Sequence, residues 1–403
     1  MGKRVVITGM GAITPLANSA VETWERVKKN ETGFQIADWV KDVDSPASVK
    51  LIGKVQAKTT EGKLSYFARH ALKEAFEDSG LKEEQLEKTK VSIVLGNGIG
   101  EAQAYYEQFQ ENKDMDEDEL QKILPGKVTS MLAEEFGVNA RSTTIVGACS
   151  SSIYSIGKAF RAIKEGKTDI SYVVGVEAAV SPLGVSAFQI LGILSPSSDK
   201  DCGSMPFDVR RNGFVLGEGS GAVVLEEYEH AKKRNAKIYC EVVGFGASCD
   251  AQKITAPDTE GIGAEIAVRD ALKEADLPDN QIDYFNAHGT GTRINDEVEA
   301  KVLLHVFGEK QPYVSATKSM TGHLIGACGL VESIICSYAL YEQFVPGTAN
   351  LDTPDNNYPL NYVYEGKPAH LETAMNNTCA FGGQNATLIL KRVVEPEPEK
   401  GAK

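Results

Sequence analysis

The sequence predicts an α/β protein built from two related halves, and three observations carry that prediction. Apolar, β-branched segments of strand length alternate along the chain with longer segments of helical period, as in βαβ units. A strand-like segment ends in Gly-x-Gly near the start of each half, RVVITGMG at 4–11 and YCEVVGFG at 239–246. Each half also closes on a Gly-rich turn and an apolar strand, GEGSGAVVLE at 217–226 and GGQNATLILK at 382–391. Two such halves back to back make a layered core with buried sheets. The chain divides into 1–235, 236–394 and a Pro- and charge-rich tail, 395–403, expected to be disordered.

In chain order, Arg4–Thr8 reads as the first strand and Val21–Lys29 as a helix, before a mixed, loop-rich stretch at 30–60. Leu64, Phe67, Ala71, Leu72 and Phe76 share one side of a helix running to Ser79. Val91–Leu95 is a buried strand ending in Gly96-Asn97-Gly98, and an acidic helical segment occupies 101–124. Met131–Phe136 leads to the stretch TTIVGACSSSIYSIGKAF at 143–160. There Thr143–Val146 reads as a buried strand, Gly147-Ala148 as a sharp turn, and Ile153, Ile156, Phe160 and Ile163 as one helical face. Ile170–Gly175 is the next strand, and Ser195–Asp208 a polar loop. In the second half, Asp283–Phe285 repeats the Val91 strand and again ends in glycine.

Composition bounds the function. A net charge of −14 over 403 residues argues against nucleic-acid binding, so an acidic partner would need a local basic patch. Seven cysteines without metal-ligand spacing suggest reduced thiols. The opening MGKRVVITGM enters a strand at once, and no apolar run reaches about 18 residues. A cytoplasmic protein with neither signal peptide nor membrane span is expected. The glycine pairs lack a GxGxxG followed by an acidic residue, which argues against a dinucleotide site.

Cys149 follows the strand and turn at the start of a helix, where free N–H groups and the helix dipole favour a thiolate. A buried structural thiol is the other reading. His288 in NAHGTGT and His323 in KSMTGHLIGACG lie where α/β connections open, and a neutral imidazole there can stabilise an oxyanion or act as a base. Each is equally readable as a satisfied structural histidine. His70, His230, His305 and His370 read as surface residues. Lys318 and Glu332 bracket His323 and form either a buried orienting pair or a solvated one. Asp296 and Glu299 read as ordinary helix-start acids, and Phe381, flanked by glycines, as a mobile lid or a core residue.

Together these motifs resemble the β-ketoacyl-acyl-carrier-protein synthases, above all the type II elongating enzymes and their polyketide relatives. The stretches RVVITGMGAITPLAN, GACSSS, PFDVRRNGFVLGEGSGAVVLE, NAHGTGTRINDEVEA, KSMTGHLIGACGLVE and FGGQNATLIL carry the resemblance across nearly the whole chain. It implies a thiolase-type fold, five layers α-β-α-β-α, in a homodimer, with a heterodimer with a second ketosynthase-like subunit as the other possibility. It implies that Cys149 takes an acyl group as a thioester from acyl carrier protein, and that the N–H groups of Cys149 and Phe381 form the oxyanion hole. His288 and His323 would then promote malonyl decarboxylation, Lys318 and Glu332 would order the site, and Phe381 would gate it. No metal or bound cofactor is implied, since phosphopantetheine arrives on the carrier. Lys63, Arg69, Arg210 and Arg211 are the candidate carrier-docking cations, and Tyr105 would shorten the acyl pocket.

Gly147, Ser150, Asn212 and Cys379 depart from the usual family residues, and 114–142 looks short, so a short or specialised acyl substrate is expected. A secondary-metabolite ketosynthase and a non-condensing, chain-length-factor-like subunit are the alternatives. Cys149 with both histidines speaks against the latter. A thiolase would need Cys328 or Cys379 as a second catalytic cysteine.

Overall fold

The strands arise where the sequence is apolar and β-branched, and their pairing reproduces the internal repeat. A computed structural model describes residues 2–40, 49–86, 89–100, 124, 126–138 and 141–393. The first half contributes β1 (Val5–Ile13), β2 (Val91–Asn97), β3 (Ser142–Val146), β4 (Ile170–Glu177) and β5 (Gly219–Glu227). The second contributes β6 (Cys240–Cys249), β7 (Tyr284–Asn286), β8 (Tyr313–Ser315), β9 (Thr373–Ala380) and β10 (Gln384–Lys391). One sheet holds all ten, in the order β8-β7-β9-β10-β6-β1-β5-β4-β2-β3. The order β1-β5-β4-β2-β3 thus recurs five numbers on as β6-β10-β9-β7-β8. Strand directions recur too: β1–β5 and β5–β4 are antiparallel, β4–β2 and β2–β3 parallel, and their counterparts follow suit.

In the ten-stranded sheet the halves are joined by the pairing of Val5–Ile7 with Cys240–Val242, and the sheet folds over two central helices. Those are α2 (Ser151–Lys164) and α5 (Cys328–Glu342), and each packs on strands of both halves. Outside, α1 (Lys63–Ser79) covers β1, β5 and β4, while α3 (Ile262–Ala275) covers β6 and β10, with α4 (Arg293–Phe307) beside it. Five layers result, α-β-α-β-α. A helix between two sheets has no solvent face, so α5 is buried at every position from Cys328 to Leu340. With the preceding turn, Ile325–Glu342 has the length and hydropathy (1.2) of a membrane span, yet 89% of it is buried inside the protein. It is a core helix.

The Gly-x-Gly repeats are explained by backbone approach. A Cβ on Gly9 or Gly11 would lie 2.1 Å from the carbonyl oxygens of Ala75 and Ala71 in α1. At the matching positions of β6, a Cβ on Gly244 or Gly246 would lie 2.2 and 1.9 Å from those of Ala271 and Ala267 in α3. Each outer helix therefore lies against its sheet with no side chain between the backbones.

One expectation changes. The strand before Cys149 was expected to be buried, but β3 is the sheet's edge, with Ser142 and Val146 exposed. The acidic segment, Tyr105 and the tail lie outside the described residues.

Gly246→Ala and Gly11→Ala are each expected to destabilise the fold by about 1–3 kcal/mol through overpacking. Chemical unfolding measures this, and stability within error of the parent would contradict the close-approach account.

Candidate active site

The elbow is built by three consecutive serines, each tied to a different element. Ser150 Oγ donates to the Gln384 carbonyl of β10 (2.8 Å), and Ser151 Oγ to the Asn97 carbonyl of β2 (2.9 Å). Ser152 Oγ donates to the Gly326 carbonyl (2.7 Å) of the loop that carries His323. Cys149 sits just before them in a single 3₁₀ turn, after Ala148 at φ 48°. The backbone N–H groups of Phe381 and of Cys149 itself donate toward the Cys149 sulfur. Phe381 is the first residue of a three-residue hairpin turn from β9 to β10, which Gly382 (φ 83°) and Gly383 (φ 75°) complete.

The two halves bring the histidines to this sulfur. His323 Nε2 lies 3.1 Å from Cys149 Sγ, and the His288 ring meets His323 edge-on with centroids 5.3 Å apart. Neither Nδ1 has a hydrogen-bond partner among the described residues. An orphaned lone pair costs less than an orphaned N–H, so the proton of each neutral ring sits on Nε2.

Three buried carboxylates, one missed by sequence reasoning and two read only as helix-start acids, hold the loops in place. Glu299 accepts the backbone N–H groups of His288 (2.7 Å) and Gly289 (2.8 Å) together with the Asn377 amide (2.9 Å). Asp296 accepts those of Phe207 (2.9 Å) and Gly291 (3.1 Å). Glu177, at the end of β4, accepts those of Gly98 (3.0 Å) and Gly326 (3.1 Å), clamping the His323 loop to the end of β2. Asp296 and Glu299 are the expected helix-start residues, but they point inward rather than to solvent. Each glycine-rich turn leaves unpaired N–H groups beside a helix or strand end. A sequence signal of that kind could have flagged them.

Lys318 and Glu332 form the buried pair, Nζ to Oε1 at 2.5 Å, with both side chains essentially inaccessible. Burial pulls the Lys318 ammonium down, but Cys328 and Glu332 beside it more than offset this and hold it charged. Burial pushes Glu332 up to about 7. Burial and then the Lys318 charge drive both His288 and His323 well below the usual histidine value, so both are neutral. Cys149 corrects the sequence expectation. Burial outweighs Lys318 and the two backbone donors and pushes the thiol up to about 12, so the resting sulfur is protonated rather than a thiolate.

A cavity of about 440 Å³ opens above this floor, bounded by Cys149, His288, His323, Phe381 and Cys379 on the inner side. The donor atoms of Cys149, His288 and His323 lie within 4.8 Å of one another and offer a metal-ligand set, although the Lys318 field disfavours a dication there. Cys328 donates its S–H to the Cys149 carbonyl at 3.4 Å and packs behind the elbow. Cys379 lines the cavity and receives the Asn377 amide at 3.7 Å.

The four docking cations fare differently from expectation. Arg211 is buried (6% exposed), with its guanidinium on the Asp208 carbonyl and Asp355, and cannot present a charge to a partner. Arg210 is held by Asp208 and Asp352, Lys63 by Glu218, and Arg69 by Glu61 and Glu135, so their charge is already compensated. His305 and His370 are exposed as expected, whereas His70 and His230 are half-buried, bonded to the Asn18 carbonyl and Glu226.

Residues 2–231 match the β-ketoacyl synthase N-terminal domain and residues 239–352 the C-terminal domain. A 3-oxoacyl-[acyl-carrier-protein] synthase 2 of Coxiella burnetii is 35% identical over 415 residues, covering 98% of this chain and 99% of that protein. A type II PKS acyl-carrier protein in complex with its ketosynthase, bound to the hexaketide, superposes at a TM-score of 0.92 with 27% identity, covering 98% of this chain and all of that one. The ishigamide ketosynthase/chain length factor gives 0.90 with 31% identity and the same coverage.

Lys318→Met or Glu332→Met alone is expected to cost about 3–5 kcal/mol, because each leaves a buried charge unpaired. The double variant is expected to recover most of that loss in chemical unfolding. Additive losses would show that the two charges do not depend on each other.

Proposed function

This chain belongs to the β-ketoacyl synthase family, and from that premise we propose that it catalyses decarboxylative Claisen condensation in fatty acid elongation. The product is a 3-oxoacyl-[acyl-carrier protein], and the enzyme is an acyltransferase. The observation that carries the reading is the convergence of Cys149, His323 and His288 with the Phe381 N–H on one buried floor.

In the first half-reaction the Cys149 sulfur attacks the acyl thioester of the carrier. The carbonyl oxygen, negative in the tetrahedral intermediate, falls to the N–H groups of Cys149 and Phe381. The C–S bond to pantetheine breaks, the thiol proton of Cys149 passes to the departing sulfur, and the acyl group stays on Cys149. In the second, malonyl thioester loses carbon dioxide, and the electron pair of the broken C–C bond becomes an enolate. The Nε2–H groups of the neutral His288 and His323 stabilise that enolate without an ionised group that a carboxylate could quench. The enolate carbon attacks the Cys149 thioester carbonyl to form the new C–C bond, the C–S bond to Cys149 breaks to release the 3-oxoacyl product, and the thiolate left on Cys149 takes a proton from water.

Every step is met by side chains and backbone of this chain, so the reading calls for no metal and no resident cofactor; phosphopantetheine comes with the carrier. Acyl carrier protein and a second ketosynthase-like subunit are the proposed partners, with a homodimer the simplest assembly. The open edge of β3, with Val146 58% exposed, supports pairing with another subunit. Seven free cysteines support a reducing, cytoplasmic setting. The structural neighbours favour one second reading, a ketosynthase of a type II polyketide pathway.

Incubation with acyl carrier proteins is expected to add the acyl mass to Cys149, as read by intact-mass spectrometry, and malonyl carrier protein to discharge it as 3-oxoacyl product. Cys149→Ala should abolish the adduct. Acylation without product would mean that a partner subunit is missing, and no acylation would leave a non-condensing subunit. The rate of malonyl decarboxylation is expected to stay flat from about pH 8 to about pH 6, because imidazoles depressed below their usual value are neutral throughout that range. A fall centred near the ordinary histidine value would contradict their burial.

A further inference from the structure

One cation on the cavity wall has no carboxylate to answer. Cys149, His288 and His323 form the buried floor, while Arg293, Ile294 and Asn212 line the exposed end. Arg293 is the one Lys, Arg, Asp or Glu side chain on that wall among the described residues. No ion pair or hydrogen bond engages its guanidinium there, in contrast to Lys63, Arg69 and Arg210. Helix stability does not account for it. Arg293 opens α4, where the dipole favours an anion, and Asp296 already supplies the acid of that turn.

We propose that Arg293 recognises the phosphodiester of the phosphopantetheine arm as it delivers a thioester to Cys149. This rests on the acyl-transfer reading above. A thioester carbonyl at the buried floor obliges the rest of the arm to run outward along the cavity. The wall it passes is uncharged, with Phe188, Ile193, Pro257 and Thr290, which suits a neutral chain of methylenes and amides. The arm's one charge is the phosphodiester at the end remote from the sulfur, so it emerges where the wall turns from apolar to cationic. A guanidinium meets two phosphate oxygens with paired N–H donors, an interaction open only to an arginine not already engaged by carboxylates.

The test compares the same acyl group on pantetheine, on phosphopantetheine and on the carrier protein, reading kcat/KM for acylation of Cys149. In Arg293→Ala the preference for phosphopantetheine over pantetheine is expected to fall about tenfold, with a matching loss on the carrier. An unchanged preference overturns the assignment. So does a loss confined to the carrier, which would make Arg293 a contact of the carrier's protein surface. A parent enzyme that accepts the acyl group from none of the three brings down the acyl-transfer reading and this assignment with it. Acylation with an unchanged preference removes the assignment alone.

Discussion

The buried ion pair of Lys318 and Glu332 is the interaction on which the site depends. Both charges have left water, and such a pair persists only where each half is held close to the other. α5 supplies Glu332 from inside the molecule, where every position from Cys328 to Leu340 is covered by the folded sheet. The short helical turn Lys318–Thr321, between β8 and α5, supplies Lys318. Its charge reaches Cys149, His288 and His323 at once, adding to burial in holding the imidazoles neutral while drawing the thiol down against burial. The Claisen chemistry needs that asymmetry, because a protonated imidazole would leave no neutral donor and an ionised one no proton.

The second constraint is that the catalytic groups come from opposite halves. Cys149 rides on the first half and both histidines on the second, so the elbow must be fixed across the layer of α2 and α5. Three short hydroxyls after Cys149 do this with one hydrogen bond each to β10, β2 and the His323 loop. Longer side chains would hold the layers apart; a Cβ on Gly96 would already lie 2.7 Å from the Ser151 backbone. Small hydroxyl residues both fit this layer and pair its carbonyls.

Much of this was legible in the sequence, for identifiable reasons. The Gly-x-Gly endings at Gly9-Gly11 and Gly244-Gly246 mark the same helix–strand contact in each half, so a local pattern reported a global repeat. The helical period of Ile153, Ile156, Phe160 and Ile163 likewise matched their burial. What escaped depends on neighbours remote in the chain. NDEVE reads as an ordinary helix start, and the glycine turns packed on it draw Asp296 and Glu299 inward. Thr143–Val146 has a buried strand's composition, but its place at the sheet edge is set by strand order. The arginines at 210 and 211 look alike in sequence, yet one is exposed and one buried. The Cys149 thiol followed burial rather than the helix dipole, because the dipole acts from one side while desolvation acts from all.

Glu177 and Glu299 flank this floor, and burial pushes each of them up to about 7. As pH falls below neutrality they take up protons before the imidazoles do. Their folded-state values stand above the ordinary carboxylate value of about 4.3, so proton uptake here relieves a burial cost and favours the folded state between those limits.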